Sequence, residues 1–176
     1  MLISTTKCIY YSTMKELFIE LADYNLWANQ QLLKLILSLS EEQQNMELKS
    51  SFPSLRKTAL HMIDAEHIWW QRMKLQERIT RPSDDFKGSM NDISQDLFQI
   101  NNQWKDWIVG MQEHMLQHEF IYQNSKTEKF KKPIYQMLLH IFNHGTYHRG
   151  QIVNMLRQIG VEKIPQTDFI VFSRKK

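Results

Sequence analysis

Apolar residues recur at three- and four-residue steps in four separate stretches of the chain, the period of an amphipathic helix. In the first stretch the stripe reads Leu17, Leu21, Tyr24, Ala28, Leu32, Leu35 and Leu39. Thr13-Met-Lys-Glu16 has the form of a capping box and marks the start of that helix. The polar run EEQQN after Ser40 ends it. Residues 49–53, KSSFP, read as a connection, and Ser54 is a candidate N-cap for a second helix. The second stripe is Leu55, Ala59, Met62, Trp69 and Met73. Residues 81–88, RPSDDFKG, break the pattern with strong loop chemistry.

A third helix is predicted to begin near Ser89–Asp92 and to carry Ile93, Leu97, Ile100, Trp104, Trp107, Ile108, Met111 and Met115. Gly110 falls inside this stretch, at a cost of about 1 kcal/mol against Ala. Residues 119–132 are polar and lysine-rich and are expected to hold a short hairpin. Pro133 suits the first position of a fourth helix, where its missing N–H costs nothing. The fourth stripe runs through Ile134, Leu138, Ile141, Gly145, His148, Ile152, Met155 and Ile159, with Gly160 as the stop. The DFIVF run beyond Pro165 reads as a short extended segment packed on the helices. The predicted fold is all-α, a four-helix bundle with a short extended C-terminal tail.

Composition narrows the classes. At 176 residues the chain suits one domain, and 42 % hydrophobic with 23 % charged residues is ordinary for a globular protein. Five glycines and four prolines are too few for the turns of an all-β fold. A single cysteine excludes an intramolecular disulfide framework and a cysteine-based zinc site. A net charge of +3 without a concentrated basic stripe gives no reason to expect nucleic-acid binding. No apolar run approaches the ~18 residues of a membrane span, and MLISTTKCIYYST makes a poor signal peptide. A cytoplasmic protein is expected.

Seven histidines carry the chemical information: His61, His67, His114, His118, His140, His144 and His148. His140, His144 and His148 stand at i, i+4 and i+8 on the fourth helix, so neighbours share a face. Two imidazoles so placed can bind one metal. His148 lies within the apolar stripe and His144 at its edge, and histidines aimed into a bundle need partners. An H-x-x-x-H pair alone is a weak signal. His114 and His118 have the same spacing on the third helix, but in the polar context QEHMLQHE they read as solvated. Gly145 follows His144 where a zinc protease has Glu, which removes that class. No Glu-x-x-His occurs, which removes a ferritin-like di-iron centre.

The segment 139–151, LHIFNHGTYHRGQ, resembles the fourth-helix signature of the DinB/YfiT-like family. Thr58-Ala-Leu-His61, followed by Ala65-Glu66 and Trp69, resembles its second-helix motif, and Tyr24-Asn25-x-Trp27-Ala28-Asn29 its opening helix. The resemblance runs from about Met14 to Phe172. It implies a four-helix bundle with one metal on His61, His144 and His148. The choice of His61 over His67 comes from the resemblance; helical angles leave it open. The family's usual start resembles Met14-Lys-Glu-Leu-Phe. Residues 1–13 are therefore expected to be an extension and 14–176 a single domain.

Three neutral imidazoles leave a divalent ion its full charge and at least one open position, the layout of a catalytic site. All-imidazole ligation suits zinc, nickel or iron alike. Glu66, in the middle of the second stripe, and Arg149 are the candidate catalytic residues, Glu66 as an outer acceptor for a ligand histidine and Arg149 as its partner; a purely structural pair is the competing reading. His140 could orient the site, although a solvated or interfacial place is favoured. Tyr24 and the tryptophans Trp69, Trp70, Trp104 and Trp107 read as packing. Gly145, at the centre of the fourth stripe, should admit a facing helix or leave room for substrate, and Gly150 should face outward. The resemblance implies transfer of a low-molecular-weight thiol to an electrophilic small molecule. A metal-dependent hydrolase and a non-catalytic, stress-associated bundle are the alternatives. Family members often pair, so a homodimer is among the implications.

Overall fold

Side-chain caps start most of the helices, and those at Thr13 and Ser54 sit where the sequence places them. In the computed structural model, which describes residues 13–124 and 126–174, Thr13 Oγ1 accepts from the Glu16 backbone N–H while Glu16 Oε2 accepts from the Thr13 N–H. This capping box opens α1, Met14–Leu37. A second box, Ser40 with Gln43, opens the short α2, Glu41–Asn45. Ser54 caps α3, Leu55–Met73, and a Ser89–Asp92 box caps α4, Met90–Gly110. A 3-10 turn, Glu113–Gln117, leads into an antiparallel hairpin of β1, Glu119–Gln123, and β2, Lys129–Pro133. Its register pairs Glu119 with Pro133 and Gln123 with Lys129. The long α5, Ile134–Gln158, follows directly.

Gly160 ends α5 as predicted. Its φ is 81°, its N–H donates to Arg157 O, and the Val161 N–H donates to Leu156 O, the two bonds of a Schellman stop. An extended stretch then leads to α6, Phe169–Ser173.

The four long helices form the bundle. α1 packs on α4 and α5, and α3 packs on the same two, so α1 and α3 stand diagonally opposed. Leu32, Ile36, Leu55, Ile63, Ile93, Leu97, Trp104, Leu138 and Ile152 are all buried in the shared core. The connection between α3 and α4 is tied down: Ser83 N–H and Oγ–H donate to Asp64, and Gln71 exchanges bonds with Thr80. No helix among the described residues is long and apolar enough to cross a membrane.

Several local expectations change. On α1 the buried residues are Phe18, Ala22, Asn25, Ala28, Asn29, Leu32, Leu33 and Ile36, while Leu17 is 45 % exposed. The buried face is thus turned by about one residue from the apolar stripe, because two asparagines face the core. α4 stops at Gly110, so Gly110 is its last residue. His114 then lies in the 3-10 turn and His118 just before β1, rather than on a helix. Pro133 occupies the N-cap of α5, one residue earlier than expected. Residues 169–172 of the DFIVF run are helical, and Phe169 and Phe172 pack against Tyr24 at ring distances of 5.2 and 5.8 Å. The expected extension falls almost wholly outside the described residues; Thr13, placed within it, caps α1.

Candidate metal centre

α3 and α5 lie against each other, and histidines meet across that contact. His144 and His148 are one turn apart on α5, which puts their imidazoles on one side of the helix, edge to face with ring centres 4.3 Å apart. His61 faces them from α3. The Nε2 atoms converge: His144 Nε2 is 3.2 Å from His61 Nε2 and 3.0 Å from His148 Nε2. One ligand atom from each of the three lies within 4.8 Å of the other two. Nitrogens about 2.0–2.1 Å from one ion, separated by 90° to the tetrahedral angle, stand roughly 2.8–3.4 Å apart. The two close separations fall in that range, so the donor set fits a single divalent ion.

The protonation state fits as well. Burial, followed by the neighbouring His148, His61 and His140, pushes His144 down to about 3. Burial and His148 push His61 down to about 4, partly offset by Asp64. His148 is lowered too, by burial. All three imidazoles are therefore neutral at neutral pH, with a lone pair free for a Lewis acid. His148 Nδ1 stands 2.8 Å from Gln151 Oε1. An amide oxygen only accepts, so Nδ1 carries the proton and Nε2 is left bare toward the cluster.

Phe52 closes one side. It stacks on the His61 ring at 3.8 Å and 17°, and meets the His148 ring edgewise at 5.7 Å. It sits in the segment read as a plain connection, where nothing local signals its role. Trp69, read as packing, is half-buried and lines a pocket of about 550 Å³ beside His61 and His144. His140 stands at the rim of this pocket, exposed, 5.1 Å from the Trp69 ring and 5.9 Å from that of His144. His67 turns away and meets Asp96 of α4 at 2.8 Å. His114 and His118 are exposed, as expected for the solvated pair.

Glu66 and Arg149 are buried, at 5 % and 2 % exposure, but do not form the direct pair expected. Glu66 Oε1 accepts from Asn25 Nδ2 at 3.2 Å and Asn101 Nδ2 at 2.9 Å. Arg149 Nη1 donates to Asn25 Oδ1 at 2.6 Å and Asn29 Oδ1 at 3.0 Å, and its Nη2 donates to Thr146 Oγ1. Asn29 Nδ2 donates to Asn101 Oδ1 at 2.8 Å. Asn25 therefore stands between the two charges, in a network fed by all four long helices. Glu66 bonds to asparagines rather than to the histidines, so Gln151 takes the outer-acceptor place proposed for it. Burial pushes Glu66 up to about 7 against the asparagine bonds and the charge of Arg149. Sequence reasoning missed Asn101 altogether and gave Asn25 and Asn29 no role. Tyr24 does not reach the histidines: its ring lies 5.3 Å from the Arg149 guanidinium and its hydroxyl donates to Thr167 O.

Gly145 belongs to this network. A Cβ there would stand 2.7 Å from Asn25 Oδ1 and 3.0 Å from Arg149 Nη1. The bare backbone thus admits the α1 asparagine, the first of the two roles expected for it. Gly150 meets nothing within 4 Å, in keeping with an outward position.

A known protein is similar in sequence along most of this chain. Protein DinB of Bacillus subtilis (strain 168) is 28 % identical over 165 residues, which span 89 % of this chain and 93 % of that protein. Residues 10–175 match the model of the DinB family. That match takes in all four helices, the three convergent histidines and the asparagine–arginine network, and by it the chain belongs to the DinB family.

Proposed function

We propose that this protein is a metal-dependent enzyme that transfers a low-molecular-weight thiol to an electrophilic small molecule, with His61, His144 and His148 holding one divalent ion. The observation that carries the reading is the convergence of three neutral Nε2 atoms beside an open pocket. An ion held by three uncharged ligands retains its full charge and supplies the acidity that turns a thiol into a thiolate at neutral pH.

The chain's own residues have distinct tasks in this reading. Gln151 keeps His148 in the tautomer whose Nε2 is a donor. Phe52 shields His61 from water on one face and fixes the plane of its ring. Arg149, next to His148 on α5, locks the helix against α1 through Asn25 and Asn29, and so holds the His144–His148 pair in register with His61. Glu66 and Arg149 are positioning residues here, since neither touches the pocket beside the histidines.

Metal analysis of protein purified without a nickel column, followed by a thiol-consumption assay with a panel of electrophiles, tests the proposal. About one ion per chain and thiol turnover that is lost in His148→Ala are the expected results. Metal with ester or amide turnover and no thiol dependence would replace the transferase with a hydrolase. Absence of metal and of activity after reconstitution would sink both.

A further inference from the structure

One face of α3 lines the pocket beside the histidines. Lys57, His61, Asp64, Ile68 and Arg72 follow one another at three- and four-residue steps along it. Arg81, from the α3–α4 connection, joins this wall, so three cations line the pocket. The single carboxylate among the lining residues, Asp64, already accepts from Ser83 N–H at 2.9 Å and Ser83 Oγ–H at 2.5 Å. Arg81 is engaged with Asp84 at 2.6 Å. Lys57 and Arg72 have no carboxylate partner among the described residues. The neutral histidines offer no charge to balance them.

Arg72 is held rather than waving in solvent. Its guanidinium lies 4.7 Å from the Trp69 ring and 5.7 Å from that of Tyr122. Its Nε is buried with no hydrogen-bond partner. A buried, unsatisfied guanidinium N–H is costly unless something in the functional state accepts from it. Aromatic stacking preserves the planar fork that grips an oxyanion. The remaining wall, with Phe52, Leu60, Ile68 and Trp69, is apolar. Ring contacts run unbroken from Arg72 through Trp69 and His140 to His144.

We infer that the pocket selects a small molecule with a carboxylate on an apolar or aromatic body, the carboxylate seated on Arg72 and drawn in by Lys57. The inference rests on the proposed reaction centre at the histidines, which sets where the other end of the molecule lies. Arg72 is about three turns, or ~16 Å, beyond His61 along the helix axis. The Arg72 side chain is longer than that of His61 and leans the same way, and a carboxylate on its near side stands a hydrogen bond closer, roughly 10 Å from the histidines.

Two thiols of matched length test this: 6-mercaptohexanoate and 6-mercaptohexan-1-ol. Each is titrated into the cobalt-loaded protein, and the thiolate-to-cobalt charge-transfer absorbance is read. The carboxylate thiol should bind at least tenfold tighter. Arg72→Gln should bring the two affinities within about twofold while cobalt affinity is unchanged, and Arg72→Lys should keep part of the preference. Arg78→Gln, outside the pocket, should leave it intact. Equal affinities in the unaltered protein, or a preference that survives Arg72→Gln, overturn the inference. Should the protein take up no cobalt, the metal reading alone fails. Calorimetry on the metal-free protein with hexanoate and hexan-1-ol then decides: hexanoate binding that depends on Arg72 supports the anion pocket, and its absence overturns it.

Discussion

Gln151 shows how one amide can set the tautomer of a candidate ligand histidine from outside the cluster. Its Oε1 accepts a hydrogen bond from the Nδ1–H of His148 and leaves Nε2 facing the cluster. Gln151→Ala should weaken zinc binding about 10- to 100-fold in a chelator competition, since loss of an outer partner frees the ring and its tautomer. Glu66 makes a prediction in pH. Its pKa is raised from 4.5 to about 7, so between those values the folded protein binds more protons than the unfolded one. Stability contributed by this group is therefore present at low pH and is lost as pH rises from about 4.5 through 7. Glu66→Gln removes the ionisation. Denaturant titrations at pH 5 and 8 should show a smaller fall in stability for the variant than for the unaltered protein. Equal falls would mean that Glu66 is already ionised at pH 5.

Two glycines of α5 have opposite consequences, Gly145 against α1 and Gly150 facing outward. Gly145→Ala gains helix propensity of about 1 kcal/mol, but its Cβ would press on Asn25 and Arg149 in a buried network. Broken buried hydrogen bonds cost about 1–3 kcal/mol each, so a net loss of roughly 1–2 kcal/mol is expected, and a larger one for Gly145→Leu. Gly150→Ala meets open space and should gain up to about 1 kcal/mol. Chemical denaturation of the two alanine variants measures both signs. The same contact explains why the face of α1 was misread. Asn25 and Asn29 are 1 % exposed, yet a hydrophobic stripe leaves asparagines out by construction. They go inside because Arg149, Glu66 and Asn101 satisfy them from three other helices, and no local pattern holds that information.

For the whole molecule, an ion shared by α3 and α5 is a cross-link between two helices distant in sequence. Zinc at 100 times its dissociation constant should stabilise the fold by about 2.7 kcal/mol. EDTA should therefore lower the melting temperature measured by circular dichroism, and His61→Ala should melt at the same temperature with or without EDTA. An EDTA effect that persists in His61→Ala would place the ion elsewhere.

What the sequence determined by itself is local. The capping box at Thr13, the Ser54 cap, the Gly160 stop and the four apolar periods each depend on residues within a turn or two, so four long helices were legible. So was the shared side of His144 and His148, which follows from helix geometry alone. His61 was chosen by family resemblance, because His61 and His67 both stand on α3 and only the packing of that helix decides which one meets α5. Tertiary structure alone decided the stacking of Phe52 on His61, the asparagine bridge between Glu66 and Arg149, and the unpaired Arg72 at the pocket wall. Each of these joins residues from separate elements, and the relative rotation of packed helices is set by the sum of their contacts rather than by any one segment.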